Sequence, residues 1–158
     1  MIPYVSSAYA SSFASFSSPI YGKVFYTDVK LTNPKNNKSV TVTMLVDTGA
    51  ANSRLDGSKY ATPLGLDIKS GKGPYSSVGP SITSKEVSYA HDLQIQIGDL
   101  KTITGPVFVT IQKPLFNNLG WTGVLEKYQV KVEPTKLTYI ELAQAAMANA
   151  QAYFRSRV

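Results

Sequence analysis

Cysteine is absent from this chain of 158 residues, and histidine occurs only once, at His91. Without cysteine, the chain can have no disulfide framework, no thiolate metal site and no cysteine nucleophile. His91 lies in a strand-like pattern, so we interpret it as a structural residue rather than a catalytic base. No Gly-x-Ser-x-Gly motif is present, so nothing in the sequence favours a serine triad.

Charged residues are sparse, at 16% of the chain, and the formal net charge is +6. The lysines are spread over turns and strand ends rather than clustered, and no nucleic-acid-binding signature is present, so we predict no nucleic-acid partner. No apolar run is long enough to span a bilayer, and the N-terminus does not resemble a secretory signal. We therefore expect one soluble domain without a membrane partner, in the cytoplasm rather than secreted.

The most informative segment is Asp47-Thr48-Gly49-Ala50, which directly follows the apolar, β-branched run Val40–Val46. A strand that ends in small residues predicts a tight turn, and the glycine lets another backbone approach closely. We expect the Asp47 carboxylate to lie in a packed, poorly solvated place. A structural turn of the Asp-Gly type is the ordinary alternative for such a segment.

Further segments place this turn in a mostly-β chain. Alternating apolar residues predict strands, and a segment rich in serine and glycine predicts a hairpin tip. Asp56-Gly57 is interpreted as a turn. The predicted strands lie in segments 87–99, 107–111 and 128–132, and Ile97-Gly98-Asp99 is interpreted as a hairpin connection. The hairpin tip lies within 75–83, and a short helix is predicted after Leu119-Gly120.

This order of elements, together with the Asp-Thr-Gly-Ala turn, resembles the retropepsins, the single-domain aspartic proteases of retroviral type. The resemblance covers about residues 20–133 and implies a mostly-β, retropepsin-like acid protease fold. It implies that Asp47 is catalytic, that Thr48 and Gly49 support the site, and that no metal or organic cofactor is needed. For substrate binding it implies Gly49, Ala50, Ala51 and the flap-like hairpin residues Val78, Gly79, Pro80 and Ser81.

The chain carries the Asp-Thr-Gly tripeptide only once. Peptide hydrolysis by this chemistry needs one carboxylate to accept a proton from water and one carboxylic acid to polarise the scissile carbonyl. The second acid must then be Asp47 of another copy, so we predict a homodimer that acts on a peptide or protein substrate.

One pair of residues departs from the family pattern. Retroviral members usually carry an acid directly after the Asp-Thr-Gly-Ala turn and pair it with an arginine just after the apolar-Gly element. Those positions hold Ala51 and Trp121 here. Because both partners are missing together, neither leaves an unpaired buried charge.

Both ends of the chain lie outside the resemblance. Residues 1–19 are rich in serine with scattered aromatics, which predicts a flexible arm. Residues 134–158 predict a helical extension, because Thr138 and Glu141 match a capping box and an apolar stripe follows at helical spacing. That stripe consists of Ile140, Ala143, Met147, Ala150 and Phe154.

The sequence thus predicts an aspartic endopeptidase that works as a homodimer. Two alternatives stay open. The chain could be a binding or assembly module that keeps the fold with weak or no activity, or a protease excised from a viral or retroelement polyprotein.

Overall fold

The computed structural model describes residues 10–18, 22–77, 85–114, 116–132 and 137–141. The strands are β1 (Ala10–Ser18), β2 (Gly22–Thr32), β3 (Ser39–Val46), β4 (Ser53–Asp56), β5 (Lys72–Ser77), β6 (Glu86–Ile97), β7 (Ile103–Thr110), β8 (Asn118–Leu119), β9 (Tyr128–Val132) and β10 (Leu137–Glu141). Helix α1 spans Gly57–Leu64, and short 3-10 helices span Ile68–Ser70 and Leu125–Lys127. The mostly-β prediction is confirmed, and the 3-10 turn at Leu125 provides the short helix predicted after Leu119-Gly120.

All these strands belong to one sheet, in the order β5-β6-β7-β4-β8-β3-β2-β1-β10-β9. Strand β2 also pairs with β6, with Val29 opposite Ile97 and Leu31 opposite Ile95. This second pairing closes β2, β3, β8, β4, β7 and β6 into a ring. The ring has an inner face, which holds the core, and an outer face, which carries the alternate side chains of each strand.

The inner face is filled by aliphatic side chains that alternate along each strand. Leu93, Ile95 and Ile97 are fully buried, as their alternation in the sequence predicted. Leu55 of β4 and Leu119 of β8 are also fully buried, and they lie next to the two loops that form the candidate site. Each such side chain contributes roughly 1.5–3 kcal/mol through its removal from water.

Helix α1 replaces the turn that we predicted at Asp56-Gly57. Asp56 is its N-cap, because its Oδ1 accepts a hydrogen bond of 3.0 Å from the Ser58 N–H. The helix ends at Gly65, which has a left-handed φ of 61°. The local residues did not indicate a helix because Gly57 and Pro63 are poor helix formers, so packing rather than propensity holds this helix.

At the N-terminal end, strand β1 occupies residues 10–18, where we predicted a flexible arm. Residues 10–13 of β1 pair with β10, and residues 14–18 pair with β2. Both pairing partners are separate segments of the chain, so the local serine content of β1 did not reveal them.

At the C-terminal end, the predicted capping box at Thr138 is wrong, because Leu137–Glu141 forms strand β10. This strand pairs with β1 on one side and β9 on the other, which satisfies its backbone groups in the ladder. The remainder of the predicted helix, residues 142–158, lies outside the described residues. The division of the chain at residues 19 and 133 stays a prediction.

Strands β5 and β6 form the predicted hairpin. They pair from Lys72 opposite Ala90 to Ser77 opposite Glu86, with an irregularity between Lys72 and Tyr75. The predicted tip, Val78 to Ser81, lies outside the described residues. Near the base of this hairpin, the ring nitrogen Nε2 of His91 lies 2.9 Å from the Ile68 carbonyl oxygen, which confirms His91 as a satisfied structural residue.

No helix within the described part of the chain has the length and apolar character needed to cross a membrane.

Candidate active site

The candidate catalytic residue, Asp47, directly follows strand β3. Strand β8 runs parallel to β3, with Leu45 opposite Asn118 and Val46 opposite Leu119. The Asp47 N–H donates to the Leu119 carbonyl oxygen at 3.0 Å, so the ladder continues one residue beyond the strand. Because side chains alternate along a strand, Asp47 leaves on the same face as Leu45, which is the outer face of the ring.

The Asp47 carboxylate organises the turn that follows it. Its Oδ1 accepts hydrogen bonds from the N–H groups of Gly49 and Ala50, each at 3.1 Å, and the Ala50 N–H also lies 3.2 Å from the Asp47 carbonyl oxygen. Such an Asx-type turn fixes the carboxylate with backbone donors that carry partial positive charge. The first oxygen of Asp47 is therefore held in place by its own loop.

The environment of Asp47 differs from our expectation of a poorly solvated place. Asp47, Thr48 and Gly49 are all exposed in the single chain. The turn lies at the end of the strand, and no described element of the same chain covers it. The described residues give Oδ2 of Asp47 no hydrogen-bond partner, so this oxygen faces a surface that another molecule can reach.

A second loop, which follows β8, lies against the first. The Trp121 N–H donates to the Ala50 carbonyl at 2.8 Å, and the Thr122 N–H donates to the Ala51 carbonyl at 2.8 Å. Positions 51 and 121 are those at which the family resemblance implies an ion pair. In this chain, backbone hydrogen bonds join the two loops at these positions, and the Trp121 side chain packs against the core.

Buried polar side chains strengthen this junction. Ser53, which is fully buried, accepts a hydrogen bond of 2.9 Å from the Gly120 N–H through its Oγ. Buried Asn118 donates from Nδ2 to the Asn52 carbonyl at 3.0 Å, and half-buried Asn117 accepts through Oδ1 from the Asp56 N–H at 2.7 Å. Each satisfies a backbone group that would be costly to leave unpaired away from water. These contacts hold the Asp47 turn on a rigid base.

Beyond the turn, the outer face of the ring carries an ion pair. Nε of Arg54 lies 3.3 Å from Oε1 of Glu86, and its Nη1 lies 3.4 Å from Oε2. Arg54 belongs to β4 and Glu86 begins β6, so the pair joins the hairpin to the strand that follows the Asp47 turn. On the same face, the ring centroid of Tyr75 lies 5.2 Å from that of Phe108 in an edge-to-face arrangement.

The predicted site residues Asp47, Thr48, Gly49, Ala50 and Ala51 lie together in one turn, and their roles stay predictions. The structure adds polar residues that the sequence reasoning did not select, namely Ser53, Arg54, Glu86, Asn117 and Asn118. A sequence signal existed for Ser53, which is a small polar residue at an inward position of a strand that follows the turn. For Glu86, only the fold could show that it meets Arg54, because 31 residues separate them.

No protein-family model and no curated protein matches the chain. Among solved structures, the chain is similar to a retropepsin-like aspartic protease from Rickettsia conorii, with 19% sequence identity and a TM-score of 0.56. That match covers 82% of this chain and 92% of the other. The EIAV protease in complex with the inhibitor HBY-793 matches with 20% identity and a TM-score of 0.40, over 66% of this chain and 88% of that one. With the strand order and the placement of the Asp47 turn, the Rickettsia structure shows that this chain has a retropepsin-like fold.

Proposed function

We propose that the protein is an aspartic endopeptidase in which the Asp47 residues of two copies form one catalytic site. The observation that carries this proposal is the exposed carboxylate of Asp47, which its own loop holds through two backbone donors at 3.1 Å. A carboxylate that is held rigidly but exposed can react with a substrate and pair with a carboxylate from a second copy of the chain. The similarity in fold to aspartic proteases supports the same assignment.

Two copies related by a two-fold axis would place like residues opposite each other. Two carboxylates within hydrogen-bond distance cannot both ionise easily, so the pair would share one proton. The ionised member would take a proton from water while the protonated member polarises the scissile carbonyl. A bond then forms between the water oxygen and the carbonyl carbon, the carbon–nitrogen bond breaks, and the leaving amine receives a proton.

The neighbouring residues have proposed roles that follow the family resemblance. Thr48, which is exposed beside Asp47, would contact its counterpart in the second copy. Gly49 would offer its carbonyl oxygen to the backbone of an extended substrate, and Ala50 and Ala51 would line the path of that substrate. The hairpin residues Val78, Gly79, Pro80 and Ser81 would cover the peptide from the opposite side. No metal or organic cofactor is needed for this reaction.

The test is cleavage of an unfolded protein by the wild-type chain and by Asp47→Asn. Asparagine keeps the shape of the side chain and cannot share a proton with a second carboxylate, so cleavage should fall by several orders of magnitude while the protein remains folded. Asp99→Asn is the matched control, because Asp99 is exposed in the turn after β6. Undiminished cleavage by Asp47→Asn, or loss of wild-type cleavage with a chelator, would overturn the proposal. Absence of cleavage by folded wild-type protein would favour the binding-module alternative.

A further inference from the structure

We infer that Arg54, held in place by Glu86, is a specificity-determining residue that selects an acidic side chain of the peptide substrate. This inference rests on the proposed function and concerns the outer face of the ring beside the Asp47 turn. The face is defined by a row of residues that are paired from strand to strand. The row runs Leu45, Asn118, Arg54, Phe108 and Ala90, across β3, β8, β4, β7 and β6.

The row and the Asp47 side chain lie on the same face of the sheet. Residues directly opposite each other in neighbouring strands share a face, and Asp47 continues the alternation of β3 from Leu45. The other face belongs to the core, where Leu55 and Val109 are fully buried. A peptide that reaches Asp47 therefore has to lie along the face that carries Arg54.

The distance suits a side chain close to the scissile bond. Strand β8 alone separates β3 from β4, so the backbones at Leu45 and Arg54 lie about 10 Å apart. An extended peptide advances about 3.3 Å per residue, so Arg54 is within reach of a side chain about three residues from the cleaved bond.

Arg54 is available to a ligand in a way that Glu86 is not. The Arg54 side chain is 27% exposed, while that of Glu86 is 6% exposed. Glu86 engages Nε and Nη1, and a guanidinium carries five N–H donors in a planar fork. Within the described residues, Glu86 is the only side chain that engages the Arg54 guanidinium, so its remaining donors can bind a carboxylate. The buried partner holds the fork in one orientation before the substrate arrives.

The surroundings favour an acid over a base at this place. The Glu86 carboxylate is buried and already paired with Arg54. A basic side chain of the substrate would therefore face the exposed edge of the Arg54 guanidinium, which has the same charge. The whole chain also carries a net charge of +6, which attracts acidic peptides. The edge-to-face pair of Tyr75 and Phe108 supplies an apolar wall on the same face, which weakens competition from water.

The experiment is cleavage of a random peptide mixture, with the products sequenced by mass spectrometry so that residue preferences are read at each position around the cut. The wild-type protein should favour Asp or Glu over Leu by roughly tenfold or more at one position within three residues of the cut, as expected for charge-assisted hydrogen bonds. The double variant Arg54→Met/Glu86→Gln removes both charges and leaves no unpaired carboxylate in the interior. It should lose this preference, and Arg54→Lys should retain part of it.

If the ion pair has only a structural role, the double variant should have lower stability or a lower overall cleavage rate. Its ratio of cleavage at acidic peptides to cleavage at Leu-containing peptides should then equal that of the wild type. A wild-type protein that cleaves through Asp47 with no acidic preference, or a double variant that keeps the preference, would overturn the inference and leave the proposed function standing.

A binding measurement separates the inference from the proposed function further. Fluorescence anisotropy with the Asp47→Asn protein should show tighter binding of a Glu-containing peptide than of its Leu counterpart, even if no cleavage is found. Equal binding of both peptides would overturn the inference.

Discussion

Gly120 and Asn52 are in direct backbone contact, so that a β-carbon on Gly120 would lie 2.3 Å from both the carbonyl carbon and the carbonyl oxygen of Asn52. The loop that follows β8 can approach the loop after Asp47 only because residue 120 has no side chain. This contact, with the hydrogen bond from the Gly120 N–H to Ser53, fixes the position of the Asp47 turn.

Gly120→Ala should therefore lower the free energy of unfolding by about 2 kcal/mol or more, because the added methyl group forces two backbone segments apart. Gly49→Ala is the matched control, since a β-carbon at Gly49 would lie 3.4 Å from Oδ1 of Asp47, an ordinary contact. It should leave stability unchanged while it impairs substrate binding. Urea unfolding curves of the two variants provide the comparison. Equal stability of Gly120→Ala and wild type would show that the two loops are not rigidly joined.

Ser53→Ala should lower the free energy of unfolding by about 1–3 kcal/mol, because the buried Gly120 N–H would lose its acceptor. Proteolytic activity should fall in parallel, since the base of the Asp47 turn would loosen. Ser53→Thr keeps the hydroxyl and should retain more stability than the alanine variant. Thermal unfolding of both variants measures the difference. If alanine is tolerated as well as threonine, the hydrogen bond does not stabilise the site.

Asp56→Ala should lower the free energy of unfolding by about 0.5–2 kcal/mol, because helix α1 would lose its N-cap acceptor for the Ser58 N–H. Asp56→Asn retains an oxygen in the same place and should cost much less. Circular dichroism during thermal unfolding gives both values. A larger loss in the asparagine variant than in the alanine variant would contradict the capping role.

The strands that could be predicted from the sequence are those in which apolar residues alternate over a continuous stretch of the chain. The alternation of Leu93, Ile95 and Ile97 predicted β6 correctly because these three side chains are fully buried on one face of that strand. The strand that leads into Asp47 was evident for the same reason. The turn residues 47–51 could be selected from their order along the chain, since one tight turn holds them all.

Elements that depend on distant partners were missed. Strand β10 contains a capping-box pattern at Thr138 and Glu141, yet pairing with β1 and β9 makes it a strand. Arg54 and Glu86 meet only because β6 returns beside β7, which itself lies beside β4. The solvation of Asp47 was also predicted wrongly, since the sequence shows the turn and not how much of it the same chain covers.

Specific activity should fall on dilution, because a site built from two copies is lost when the copies separate. Cleavage rates across a dilution series, measured beside the molecular mass from light scattering, test this expectation. Constant specific activity through a measured dissociation into single chains would contradict it.

The most direct measurement of the central claim is a mixing experiment with wild-type and Asp47→Asn chains at a constant total concentration. If one site needs Asp47 from both copies, activity should follow the square of the wild-type fraction, so an equal mixture retains about one quarter of the activity by random pairing. Mixing with Asp99→Asn, the matched control, should leave activity unchanged. A linear dependence, with about one half retained in the equal mixture, would show that each chain acts alone and would contradict the account.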